Sequence, residues 1–89
     1  PAKEEDVVYP YYLSLTMPDV TGQMLKLTQI MTDIDASFSE ITQIQTKDDG
    51  MAHVVIITHD MSKKQLHQLQ KQIDADPSIK LGAAYKVLK

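Results

Sequence analysis

Few residues in this chain could do chemistry, and their spacing does not suit catalysis. There is no cysteine among the 89 residues, which excludes disulfide frameworks, thiolate zinc sites, iron–sulfur clusters and thiol nucleophiles. All nine basic residues are lysine. Bidentate arginine clamps on phosphate or carboxylate are therefore absent. His53, His59 and His67 do not fall at a metal-ligand spacing. No glycine motif frames a serine as a nucleophile elbow, and Glu40 with Asp60 would be an arbitrary acid–base pair. The chain reads as having no catalytic residues and no metal site.

Binding chemistry remains. Asp19-Val20-Thr21-Gly22 stands just before a helical pattern. A helix start offers N–H groups and the positive end of the dipole, where a ligand carboxylate can rest. Gly22 lets the backbone approach closely. Asp19 either caps the helix or meets a ligand ammonium. An ordinary capped helix start explains the same residues. Gln43 offers an amide that can donate to a carboxylate and accept from an ammonium. Ser39 shares its face by alternation if no bulge intervenes. The simpler reading of Gln43 is an exposed residue on an edge strand.

The elements that must hold these residues follow from periodicity. Residues 1–10 open with PAKEED and read as a linker or frayed end, leaving 11–89 as the domain. A start at Pro1 rather than Met suggests a chain cut from something longer. Tyr11, Leu13, Leu15 and Met17 alternate with polar residues, giving a strand that Pro18 ends. Over Gly22–Ile34, the residues Met24, Leu27, Thr28, Met31 and Ile34 form a helical stripe, with Leu25 well off it. Ser37–Thr46 reads as a polar edge strand. Its Phe38, Ile41 and Ile44 are spaced by three, which a bulge or use of both faces would explain.

Lys47-Asp48-Asp49-Gly50 is a hairpin signal, and Ala52–Thr58, apolar on both faces, reads as a central strand. Over Met61–Ala75, Ser62 and Gln65 make a capping box, Met61 and Leu66 a hydrophobic staple, and Leu66, Leu69 and Ile73 a buried stripe. Asp76-Pro77 stops that helix, and Ala83–Leu88 is a last short strand.

The order β-α-β-β-α-β predicts an α+β, ferredoxin-like fold: a four-stranded antiparallel sheet with both helices on one face. The first and third strands are central. Tyr12, Val55 and Ile57 fall on the uncovered face. Composition is ordinary for a single small domain, with 43% hydrophobic and 24% charged residues. A net charge of −3 does not suit a nucleic-acid partner, and the longest apolar run, Val54 to Ile57, is too short to cross a membrane. A cytoplasmic location is the default expectation.

Function in this architecture comes from sites. An RNA-recognition module lacks its aromatic and basic residues here, a heavy-metal carrier its cysteines, and an acylphosphatase-like enzyme its arginine. What survives is a ligand-binding or pairing module. The runs Tyr11-Tyr12-Leu13-Ser14-Leu15 and Pro18 to Leu27 resemble an ACT domain, whose loop commonly reads Asp-x-Pro-Gly-x-Leu. Asp19, Gly22 and Met24 match that loop, and Thr21 replaces its proline. The Tyr-Tyr-Leu opening, the second strand up to Gln43, and Val55-Ile56-Ile57-Thr58-His59-Asp60 resemble, more narrowly, the C-terminal ACT domain of the homoserine dehydrogenase family. The resemblance covers about Tyr11 to the end.

It implies a regulatory domain that forms a homodimer or higher homo-oligomer and binds a small amino acid, threonine being the usual effector. Asp19, Val20, Thr21, Gly22, Gln43 and Ser39 would contact that ligand. It also implies that NAD(P) binding and hydride transfer belong to other domains of a parent enzyme, with no cofactor in this chain. Two alternatives stand beside it: a purely structural dimerisation domain, and a free-standing ACT protein.

Overall fold

The computed structural model describes residues 7–18, 20–44 and 50–88. The alternating Tyr11–Met17 pattern is realised in β2 (Tyr11–Pro18), preceded by a two-residue strand, β1 (Val8–Tyr9). Then follow α1 (Val20–Asp33), β3 (Phe38–Ile44), β4 (Met51–Thr58), β5 (Met61–Ser62), α2 (Lys63–Asp74) and β6 (Lys80–Lys86). The main sheet has the order β3-β4-β2-β6 and every pairing in it is antiparallel. The β2 and β4 strands are central, as their apolar patterns require. This is the expected ferredoxin-like arrangement.

One face of the sheet meets both helices. Leu13, Leu15 and Met17 of β2 and Val54 and Ile56 of β4 are buried there against Leu27, Met31, Leu69 and Ile73. Thr58 is the buried polar side chain among the described residues. Its hydroxyl accepts the Tyr11 N–H at 2.9 Å, and burial pushes the Tyr11 phenol above its ordinary value. Among the described residues, no helix covers the opposite face. Tyr12 lies opposite Ile57, Ser14 opposite Val55, and Thr16 opposite His53 on that side.

Two side chains tie the helices together. Ser62 and Gln65 close the capping box of α2: the Gln65 N–H donates to Ser62 Oγ at 3.1 Å, and Gln65 Oε1 accepts the Ser62 N–H at 2.8 Å. The same Gln65 amide donates from Nε2 to the carbonyls of Ile34 and Asp35, both at 3.0 Å. These carbonyls follow the last turn of α1, where Asp35 takes a left-handed φ of 58° and Ala36 N–H reaches back to Met31 O at 2.8 Å. Met61 and Leu66, the staple pair, both lie in the core.

Several expectations need correction. Thr28 is exposed, because its hydroxyl turns back to Met24 O at 2.8 Å; Ile30 packs against the core instead. The last strand starts at Lys80 rather than Ala83, because pairing with β2 continues past an irregularity between Ser14 and Leu15. Val8 and Tyr9, read as linker, pair with Ser62 and Met61. Met61 and Ser62 accordingly form a strand, and α2 starts after them. The β3 strand carries the expected irregularity, between Phe38 and Glu40, so Phe38 and Ile41 share the helix side while Ile44 takes the other. Of the expected hairpin turn only Gly50, at φ 78°, lies within the described residues.

Candidate functional site

The candidate site is the junction where β2 passes into α1. Pro18 closes the strand and Val20 opens the helix; Asp19 lies outside the described residues. Thr21 is exposed and Gly22 half-buried. No acidic side chain stands in the first turn of α1, so the positive end of its dipole meets no carboxylate from within that turn.

The next turns of α1 are braced against the α2–β6 connection. The Ser78 hydroxyl lies 2.6 Å from Asp76 Oδ1 and 3.1 Å from the Gln23 amide oxygen. The Ser78 N–H donates to the same carboxylate at 2.9 Å, and Lys26 Nζ stands 3.5 Å from Asp76 Oδ2. Hydrogen bonds from Ser78, aided by the Lys26 charge, hold the Asp76 carboxyl below its ordinary value. A surface cleft of about 430 Å³ beside this brace is lined by Lys26, Ile30, Asp76 and Pro77 among others.

Gln43 sits at the same end of the sheet. It lies opposite Val54, which lies opposite Leu15, three residues before Pro18. It is exposed, on the helix side of the edge strand. Two strand spacings, about 10 Å, separate β3 from β2. A small zwitterion bound at the start of α1 would have to span that gap, or the gap would have to be filled from elsewhere.

Ser39 is not brought to that end. The irregularity before Glu40 takes it out of the alternation with Gln43, and its hydroxyl donates to Ile57 O at 3.2 Å. It lines a different groove, of about 570 Å³, with Pro10, Ile57, His59 and Val87. The His59 ring there stands 2.8 Å from the Ser37 hydroxyl, and the His59 N–H donates to Ser37 O at 2.9 Å. The sequence gives no sign of this groove, because its walls come from four separate segments.

No protein-family profile matches the chain. The fold is that of ACT domains. The ACT domain of the Chlorobium tepidum GTP pyrophosphokinase superposes on 90% of the chain, with a TM-score of 0.62 and 11% identity, and is itself covered over 99% of its length. A homoserine dehydrogenase from Thiobacillus denitrificans gives a TM-score of 0.75 at 21% identity, over 97% of this chain and 18% of that one. In sequence, the chain is 40% identical over 88 residues to the homoserine dehydrogenase of Lactococcus lactis subsp. lactis (strain IL1403). That alignment takes in 98% of the chain and 20% of the relative, so the chain spans about one fifth of the enzyme it resembles.

Proposed function

We propose that this chain is the regulatory, amino-acid-sensing ACT domain of a homoserine dehydrogenase, an enzyme of threonine and methionine biosynthesis in the cytoplasm. The observation that carries the reading is the 40% identity extending over nearly the whole chain. In this reading the domain binds threonine and works as a homodimer or higher homo-oligomer. The amino acid's carboxylate lies at the first turn of α1. Asp19 and Gln43 serve its ammonium, and Val20, Thr21 and Gly22 border it. NAD(P) and the reacting substrate belong to the rest of the parent enzyme.

Calorimetric titration of the chain with threonine, alongside methionine, isoleucine and lysine, tests this. Threonine is expected to release or absorb heat with saturation. At about 100 times its Kd it should stabilise the fold by roughly 2.7 kcal/mol, a shift of several degrees in Tm. No heat and no shift at millimolar threonine would refute sensing by this domain.

A second reading, pairing without a ligand, draws on one observation: every residue of β3 after Phe38 is exposed. An exposed strand at the edge of a sheet is a ready site for association. A response to none of the amino acids, together with a concentration-dependent mass, would favour it.

A further inference from the structure

Where all four strands take part, the uncovered face of the sheet is close to square; β2 and β4 run one further pair beyond it, to Pro18 and Met51. Its corners are Glu40, Tyr85, Lys80 and Ile44. Glu40 lies opposite Ile57, which lies opposite Tyr12, which lies opposite Tyr85. At the other end Ile44 lies opposite His53, His53 opposite Thr16, and Thr16 opposite Lys80. Three strand spacings give about 14 Å across, and the four steps from Tyr12 to Thr16 give about 14 Å along. Apart from His53, the side chains between are small, hydroxylic or apolar, with Val55 and Ser14 opposite one another at the centre. Tyr12 and Tyr85 stand with ring centroids 6.3 Å apart, and Tyr85 and Ile44 are 64% and 50% exposed. Among the described residues, the carboxylate and ammonium groups on the strands of this face are those of Glu40 and Lys80, of opposite sign at diagonally opposite corners.

We infer that this face pairs with the same face of a second copy, the strands of the two copies crossing near a right angle, so that Glu40 of each meets Lys80 of the other. A two-fold axis lying in the face can run four ways. Along the strands, it sets Glu40 on Tyr85 and Lys80 on Ile44 of the other copy. Across the strands, it sets Glu40 on Ile44 and Lys80 on Tyr85. Both bury charges against apolar groups. Along the Glu40–Lys80 diagonal, it sets like charges together. Along the Tyr85–Ile44 diagonal, it sets each carboxylate on an ammonium and each apolar corner on its own copy. Only a face of nearly equal sides stays fully covered under a right-angle crossing, and crossings of that kind are an established mode of sheet packing. Charges at the corners contribute register more than affinity, and a face of about 14 Å by 14 Å makes an interface below the usual size, in the range of weak pairs.

This pairing deepens the proposed dimeric role and specifies its surface. It requires no ligand, so it can fail while threonine sensing holds, and the reverse. The test is sedimentation equilibrium of the chain up to millimolar concentration, at low salt and high salt. Glu40→Lys and Lys80→Glu are each expected to weaken the dimer about tenfold, since two attractions become two repulsions, and raised salt should shrink that effect. The double exchange should restore the dimer to within a few fold. A water-soluble carbodiimide, which condenses a carboxylate with an amine and releases water, should join Glu40 to Lys80 only between copies, because within one copy they are about 20 Å apart.

A chain that stays monomeric overturns the inference. So does a dimer indifferent to Lys80→Glu, which would point to pairing at the β3 edge, or a double variant no better than the singles. Both corners are exposed, so circular dichroism of the variants should match the parent and separate pairing from folding.

Discussion

The two faces of the sheet are made by the same strands, and they differ by the alternation of single residues. On one side Leu13, Leu15 and Met17 are fully buried. On the other, Tyr12, Ser14 and Thr16 of the same strand face no helix among the described residues. The helix-covered side carries the stability of the domain, and its side chains are chosen for shape. The open side retains hydroxyls, an imidazole and two opposite charges among its apolar groups. A surface that merely faced water would need fewer exposed tyrosines, and one buried within the chain would hold no charges at its corners. The difference separates residues that make the fold from residues left for recognition.

Substitutions can break that contrast. The largest effect belongs to the covered face. Leu15→Ala should cost about 3–4 kcal/mol in urea unfolding, since it opens a cavity at a fully buried site; a domain of this size has only about 4–13 kcal/mol in all. An intermediate loss is expected at the rim of the helical layer. Gln65→Glu keeps an acceptor for Ser62 but turns a carboxylate toward the Ile34 and Asp35 carbonyls, where two N–H groups now donate. A loss of about 2 kcal/mol is expected near neutral pH, read from the same unfolding curves. The smallest belongs to the open face. Val55→Thr should stay within about 0.5 kcal/mol when measured on the dilute, unpaired chain. A cost as large as that of Leu15→Ala would mean that the open face contributes to the core after all.

What could be read in the sequence was what is settled locally. The capping box at Ser62 and Gln65 and the staple at Met61 and Leu66 involve residues no more than five positions apart, and the structure forms the box and buries both staple residues in the core. The spacing of Phe38, Ile41 and Ile44 already signals an irregular edge strand. The start of β6 at Lys80 is set by its pairing with β2, and β1 exists only because Met61 and Ser62 lie beside it. Neither partner is near in sequence. Thr28 has the right spacing for the core, yet its hydroxyl finds a carbonyl one turn back. Within the candidate site, the first turn of α1 and Gln43 fall at one end of the sheet, as the strand register dictates. Ser39 falls elsewhere because a single irregularity removes it from the alternation.

The Gln65 side chain has a consequence for motion. Its amide holds the two carbonyls just after α1 while its oxygen holds the N–H of Ser62, the α2 cap. Fraying at either helix end must release the same group, so the two ends open as one event rather than two. Amide hydrogens at Gln65 and those closing the last turn of α1 should then exchange with solvent at matched rates. The domain would lose its helical layer from this corner together, while the sheet beneath it remained protected.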